Sequence, residues 1–197
     1  MHFGEPFGGV IQGARGAVLA VLLRTNAPLT GRQIHALVSP DFSLWSVQQA
    51  LKSLTWLGVV DTQALGRAGV HTINEDHFFV APLRALLDPI AALTSTLREA
   101  VGHQVETVVV FGSIARGEAT AASDVDLAVI ASAGWDRSTD VEDVVRTRFG
   151  NDCDVIVFTP EEFSRLASAS EPVVAEILAE GVALVGSIPP AAKRGAA

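Results

Sequence analysis

The sequence predicts an α+β protein in two parts: a helical part that ends in a small hairpin, and an α/β part with a small mixed sheet. Apolar residues recur at helical spacing through much of 14–54, and two short β-prone segments follow. From residue 105 onward, apolar strand-like runs alternate with helix-like segments. With 49% hydrophobic and 18% charged residues, the chain has enough apolar material for a core.

Three helices are predicted in the first part, the first of them over about 14–24. Thr30 and Gln33 form a capping box, which predicts a second helix ending near Val38. The third helix follows Ser43, whose hydroxyl is a suitable N-cap. Its apolar stripe consists of Leu44, Val47, Leu51 and Leu54.

Two β-prone segments, 58–63 and 70–74, flank a hairpin-like turn. Three helices followed by a hairpin is the order of a winged helix-turn-helix, and residues 1–80 resemble that family in pattern. The resemblance implies a DNA-binding surface on the third helix and the wing. Its candidate residues are Gln48, Gln49, Lys52 and Arg67. Such modules also mediate dimer or protein contacts, so a homodimer or a protein partner is the alternative expectation.

The second part is predicted to follow a helical connector over 81–103, to span 104–187, and to end in a flexible tail over 188–197. Predicted strands cover 105–111, 125–131, 154–158 and 182–185. Helices are predicted after Ser113, over 171–180, and from capping boxes at Thr139–Glu142 and Thr159–Glu162.

Charge is divided unevenly along the chain. Residues 1–80 carry equal numbers of basic and acidic side chains, so the net charge of −8 falls within 81–197. A nonspecific nucleic-acid coat protein would be basic, which excludes that class. The acidic part would repel phosphate unless metal ions intervene, so the neutral N-terminal part is the better candidate for contact with DNA.

Cysteine content and hydropathy predict a cytoplasmic protein. Cys153 is the only cysteine, so an intrachain disulfide is excluded. We expect it to be a buried structural thiol rather than a nucleophile, because on an extended chain it alternates away from Asp154. The first residues lack the basic region and apolar core of a secretory signal. The longest strongly apolar run, 17–23, is too short to span a bilayer, so no membrane association is expected.

The segment 108–130 contains the candidate phosphate-binding and metal-binding residues. An apolar strand runs into Gly112 and Ser113, where glycine allows close backbone approach and the amides of a helix start favour phosphate. Asp124 and Asp126 then lie two residues apart at the mouth of the next strand. Their side chains would point to the same face, roughly 7 Å apart, where they can share divalent cations.

A third carboxylate is expected from Asp154, at the start of the strand 154–158. Asp152 has the same strand parity and is the alternative, but Asp154 adjoins the apolar run. If this strand lies beside the one that carries Asp124 and Asp126, the three carboxylates converge. Three carboxylates and a phosphate-binding turn are what a two-metal phosphoryl or nucleotidyl transfer site needs.

This segment resembles the signature of the DNA polymerase β-like nucleotidyltransferase superfamily, and is most similar to its minimal bacterial members. The signature is Gly-Ser-x-Ala-Arg-Gly, a spacer, and Ser-Asp-x-Asp-Leu. The matching residues are Gly112, Ser113, Ala115, Arg116, Gly117, Ser123, Asp124, Asp126 and Leu127.

The resemblance implies a magnesium-dependent enzyme that moves a nucleoside monophosphate from a nucleoside triphosphate to a hydroxyl acceptor. Two Mg²⁺ ions would be held by Asp124, Asp126 and Asp154, and Asp154 would also help to deprotonate the acceptor. The implied nucleotide-binding residues are Gly112, Ser113, Arg116 and Ser123. Arg116 would orient the signature helix or meet phosphate; alternatively, it pairs with Glu118 or Asp124.

The acceptor implied by the resemblance is a protein, an RNA end or a small molecule, and minimal members of the superfamily occur in toxin–antitoxin pairs. The competing hypothesis is a DNA-binding regulator or antitoxin whose transferase domain senses nucleotide or is inactive.

Overall fold

A computed structural model describes residues 1–66 and 68–190. The chain folds into two compact units, one of Glu5–Pro89 and one of Met1–Gly4 together with the chain from Ile90 onward. The domain bounds given above remain a prediction. Arg67 and residues 191–197 of the predicted tail lie outside the described residues.

The N-terminal unit has the order of elements of a winged helix-turn-helix. Its elements are a 3₁₀ turn (Pro6–Gly9), α1 (Gly13–Thr25), β1 (Leu29–Thr30), α2 (Gly31–Val38), α3 (Leu44–Trp56), β2 (Val60–Leu65), β3 (Ala68–Ile73) and α4 (Val80–Leu86). The strands form an antiparallel sheet in the order β1-β3-β2. The two-residue strand β1 was not predicted, because it is defined only by its pairing with β3.

Local capping explains where α2 and α3 begin, as the sequence predicted. The Thr30 hydroxyl accepts from the Gln33 amide at 3.3 Å, and the Gln33 side chain accepts from the Thr30 amide at 2.8 Å. The Ser43 hydroxyl accepts from the Ser46 amide at 3.2 Å. The apolar faces of the three helices then pack into one core, with Val18, Ile34 and Val47 at its fully buried centre.

The C-terminal unit is a mixed four-stranded sheet with helices on both faces. Its elements are α5 (Pro89–Val101), β4 (Val105–Phe111), α6 (Gly112–Ala115), β5 (Val125–Ala131), α7 (Ser138–Phe149), β6 (Cys153–Phe158), α8 (Pro160–Ser168), α9 (Pro172–Glu180) and β7 (Val182–Val185). The strand order is β6-β5-β4-β7. The β5–β6 pair is parallel, with α7 connecting its strands, and the β4–β5 and β4–β7 pairs are antiparallel.

Alternate residues of the central strands face two separate cores. Val108 and Leu127 belong to the core that contains residues of α5 and α7, whereas Val109 and Ala128 belong to the core that contains residues of α8 and α9. Because both faces of the sheet are covered, β4 and β5 are apolar along most of their length. By the same alternation, Asp126 lies on the α8–α9 side.

One predicted helix start is wrong. The Thr159–Glu162 capping box is present at α8, but Thr139 does not cap α7. The helix begins at Ser138, with Arg137 at the N-cap and no side-chain capping bond. Arg137 instead pairs with Asp140 at 3.1 Å, so an ion pair takes the place of the predicted box. Strand β6 also begins one residue earlier than predicted, at Cys153.

Within the described part of the chain, no helix is long and apolar enough to cross a membrane.

Candidate active site

The turn after β4 brings the backbone of Gly112 directly against the Asp126 carboxylate. Gly112 has φ +64°, a conformation that side chains with a Cβ rarely adopt. A Cβ built on Gly112 would overlap Oδ2 of Asp126. Phe111, the residue before the turn, is the cross-strand partner of Asp126. Glycine is therefore required here both by backbone conformation and by space.

Strand pairing brings the predicted carboxylates to one end of the sheet. Asp126 of β5 and Asp154 of β6 are direct partners in the parallel register, so their side chains lie on the same face. Asp124 precedes β5 by one residue. Strand β6, which carries Asp154, thus lies beside strand β5, which carries Asp126. The predicted convergence of the carboxylates requires this arrangement.

The Asp126 carboxyl group lies in a negative environment. Its pKa is raised, first by burial and then by the negative charges of Asp154, Asp124 and Glu176, while Arg116 acts in the opposite direction. The ionised form of Asp126 is therefore disfavoured by its surroundings. A cation placed among these carboxylates would reverse that effect.

The donor chemistry fits a divalent cation, although no complete cage is present. Among residues 1–66 and 68–190, no three His, Cys, Asp or Glu side chains form a group that could hold a metal ion. Mg²⁺ is usually bound by one or two carboxylates together with water and substrate phosphates, and does not need an all-protein cage. Asp126, Asp154 and Asp124 offer the oxygen ligands that this ion prefers.

Ion pairing distinguishes the two candidate aspartates of β6 and the loop before it. Asp152 accepts from Nε of Arg146 at 3.0 Å, and its backbone carbonyl accepts from the Val125 amide at 2.8 Å. Asp154 is exposed and has no ion pair with any residue that the structure describes. Of the two, Asp154 has the carboxylate available for a ligand.

The two signature serines have different surroundings. Ser113 is half-buried, and its hydroxyl makes no hydrogen bond within 1–66 or 68–190. The Ser123 hydroxyl instead accepts from the Thr120 amide at 2.9 Å and so holds the turn before Asp124. Asn151, which the sequence analysis missed, is buried and donates to the Ser123 carbonyl at 2.9 Å. No motif indicated Asn151, because its role depends on a contact between distant segments.

The signature arginine is surrounded by glutamates. The Arg116 guanidinium pairs with Glu118 at 2.9 Å, Glu176 at 2.7 Å and Glu180 at 3.4 Å. These carboxylates raise the pKa of Arg116, with the hydrogen bond to Glu118 as the largest cause. Of the two alternative partners considered for Arg116, Glu118 and Asp124, the structure shows the pair with Glu118. Glu176 and Glu180 were missed, although their i,i+4 spacing on α9 was visible in the sequence.

The DNA-binding candidates lie in the N-terminal unit. Gln48, Gln49 and Lys52 are exposed on α3, and Arg67 lies outside the described residues. Gln48 and Lys52 also line a cleft of about 880 Å³ between the start of α2, α3 and the β2–β3 hairpin. We call it the basic cleft and define it by Arg32, Gln48, Lys52, Thr55, Thr62 and His71. Gln49 is not part of its lining.

The whole candidate active site falls within one family match. Residues 93–187 match the family model described as Polymerase beta, Nucleotidyltransferase. This region is a polymerase beta-type nucleotidyltransferase domain. The match begins within α5, ends just after β7, and includes the Gly112 turn and all three carboxylates. No curated protein matches the chain.

Solved structures give partial likenesses. A toxin–antitoxin complex with AMP-PNP is 18% identical over 50% of this chain and 73% of its own, with a TM-score of 0.38. A structure of the DNA recognition and protein interaction domains of HOP2 is 20% identical over 32% of this chain and 100% of its own, with a TM-score of 0.30. The archaeal chromatin protein TrmBL2 is 14% identical over 85% and 72%, with a TM-score of 0.31.

Within the nucleotidyltransferase domain, Cys153 is a structural residue, as the sequence predicted. Its side chain is only 4% exposed and packs in the core that includes Val145 and Phe149. Burial, followed by the charges of Glu142, Asp154 and Asp126, raises the pKa of its thiol to about 12. The thiolate needed for nucleophilic chemistry is therefore scarce at neutral pH.

Proposed function

We propose that the nucleotidyltransferase domain transfers a nucleoside monophosphate from a nucleoside triphosphate to a hydroxyl acceptor. The observation that carries this proposal is the register pair Asp126–Asp154, next to Asp124 and against the Gly112 turn. The three carboxylates form an acidic group that favours a bound cation. The glycine turn beside them allows a phosphate to approach the backbone closely.

Each residue has a role in this proposal. The turn at Gly112 and the Ser113 hydroxyl bind the triphosphate tail. Asp124, Asp126 and Asp154 hold two Mg²⁺ ions, which would neutralise the charge that develops on the phosphates. Ser123 holds the turn that carries Asp124, and Arg116 ties the signature helix to α9 through Glu176.

The proposed reaction is an in-line displacement at the α-phosphorus. The acceptor oxygen forms a bond to that phosphorus while the bond from phosphorus to the bridging oxygen of the β-phosphate breaks. Pyrophosphate leaves, and Asp154 takes the proton of the acceptor hydroxyl.

The acceptor class is a protein hydroxyl, an RNA end or a small molecule, in keeping with the superfamily resemblance. We further propose that a partner protein, such as the other member of a toxin–antitoxin pair, or a second copy of this chain completes the acceptor side.

The test is label transfer from each α-labelled nucleoside triphosphate to a host-type lysate, with Mg²⁺ present. Label should enter protein or RNA with the wild-type chain and not with the double variant Asp124→Asn/Asp126→Asn. A γ-labelled substrate should give no transfer, which separates this reaction from kinase activity. Equal α-label transfer by wild type and double variant would contradict the proposal.

A second candidate function, supported by the helix-turn-helix order and exposed polar residues of α3, is DNA binding. Gln48, Gln49, Lys52 and Arg67 would contact DNA in a transcriptional regulator or antitoxin, and the transferase domain would then sense nucleotide or be inactive. The check is retention of the upstream DNA of the gene at several salt concentrations. Binding should weaken in Gln48→Ala and Lys52→Ala; no specific retention by wild type would count against this function.

A further inference from the structure

The basic cleft has the dimensions of a small-molecule site. Its volume of about 880 Å³ lies within the range of about 300–1,000 Å³ that is typical of ligand pockets. All of its described lining residues belong to the N-terminal unit, and none belongs to the nucleotidyltransferase domain. Leu51 and Leu65 provide apolar wall beside its polar groups.

The cleft carries only positive charge. Residues 1–80 have no net charge, yet Arg32 and Lys52 line the cleft and no acidic side chain is among its described lining residues. Neither cation forms an ion pair with a residue in 1–66 or 68–190. By contrast, Arg84 of the same unit is paired with Glu75. Two uncompensated cations in one concave site favour an anionic ligand.

A chain of hydrogen bonds provides polar groups in the cleft. The hydroxyls of Thr55 and Thr62 are 3.0 Å apart, and the Thr62 hydroxyl is 2.9 Å from Nδ1 of His71. This network holds the end of α3 against both strands of the hairpin. Its hydroxyls, together with the Gln48 amide, can hydrogen-bond the oxygens of a sugar or a phosphate.

We propose that the basic cleft binds a free organic phosphate of mononucleotide size. Arg32 and Lys52 contact the phosphate, while Thr55, Thr62 and Gln48 contact the polar remainder of the ligand. This site is distinct from the triphosphate site of the transferase domain. The proposal does not depend on transferase activity or on binding to DNA.

The experiment is calorimetric titration of the full chain with AMP, ribose 5-phosphate, inorganic phosphate and adenosine, in EDTA. AMP should bind, and adenosine should bind at least 10-fold more weakly because it lacks the phosphate. Arg32→Gln and Lys52→Gln should each weaken AMP binding about 10-fold. Arg24→Gln is the matched control, since it removes an exposed charge of the same unit that does not line the cleft.

Two further experiments locate the bound ligand. Asp124→Asn/Asp126→Asn should bind AMP as wild type does. AMP should also shift the NMR signals of the His71 ring, which are assigned by comparison with His71→Asn.

Failure of all three phosphates to bind would overturn the proposal, as would AMP binding that persists in Arg32→Gln and Lys52→Gln. DNA retention that needs Arg32 and Lys52, without any binding of AMP, would overturn it and assign the cleft to DNA. If the wild-type chain binds AMP but transfers no nucleotide, the proposed ligand site in the basic cleft is supported and only the proposed transferase activity is contradicted.

Discussion

Asp124, Asp126 and Asp154 lie at one end of the β5–β6 pair, which we call the carboxylate end. This end and the basic cleft differ in how their charges are compensated. At the sheet, burial disfavours the charge of Asp126 most, and the neighbouring carboxylates add to that effect. In the cleft, Arg32 and Lys52 stand without acidic partners among the described residues. The cleft can therefore attract phosphate directly, whereas the carboxylate end needs divalent cations before phosphate can approach. The two proposals thus assign one chain two different solutions to phosphate recognition.

The largest effect is expected between two aspartates only two residues apart. Asp154→Asn should reduce nucleotide transfer by about 100-fold or more, because it removes the proposed proton acceptor and a proposed Mg²⁺ ligand. Asp152→Asn should change transfer by less than about 2-fold, since its carboxylate is already paired with Arg146. The measurement is the initial rate of α-label transfer. Equal losses of transfer rate in Asp154→Asn and Asp152→Asn would contradict the proposed role of the Asp126–Asp154 register pair.

A second pair of variants tests the contact between Gly112 and Asp126. Gly112→Ala should lower transfer by at least about 10-fold and destabilise the fold by about 2–3 kcal/mol, because a Cβ would displace the carboxylate. Gly150→Ala is the control: its φ is +74°, but a Cβ there meets nothing within 4 Å. It should cost about 1 kcal/mol and leave transfer unchanged. Urea denaturation and transfer rates measure both effects; similar results for the two variants would contradict the proposed steric cause.

A third variant tests whether the ionised Asp126 carboxylate destabilises the folded state. The pKa of Asp126 is raised above its ordinary 3.8, so the folded state is penalised as pH rises through that value and the group ionises. In metal-free buffer at pH 7, Asp126→Asn should therefore raise Tm while abolishing transfer. The gain should shrink as the pH is lowered towards 3.8, where wild-type Asp126 is protonated. A lower Tm for the variant at pH 7 would show that the ionised Asp126 carboxylate does not destabilise the fold.

The smallest effect is expected in the basic cleft. Burial lowers the pKa of His71 below its ordinary 6.5, so the unfolded chain takes up its proton first as pH falls. The free energy of unfolding should therefore fall below pH 6.5 by an amount on the order of 1 kcal/mol or less. His71→Asn should show a shallower decline, and the difference between the two chains isolates this residue from the other four histidines. Urea denaturation between pH 7.5 and 5.5 provides the measurement; identical pH profiles would contradict the prediction.

Much of the fold was predictable because its signals are local. The capping boxes at Thr30 and Thr159 each satisfy backbone groups within four residues, and both are present. The Thr139 box failed because a competing local pair, Arg137–Asp140, occupies the same turn. The turn at Gly112 could also be predicted at a strand–helix junction, because the glycine-serine motif depends only on the backbone geometry of a few consecutive residues.

The sequence by itself determined most of the elements, the α+β class and the residues Gly112, Asp124 and Asp126 as a candidate site. Only the tertiary structure decided that Asp154 faces Asp126 in register, that Arg116 is held by Glu176 and Glu180, and that Arg32 and Lys52 line one cleft. The physical reason is that these contacts join segments far apart in the chain, about 60 residues in the case of Arg116 and Glu176. Their geometry depends on strand register and helix docking, which no short spacing of residues encodes.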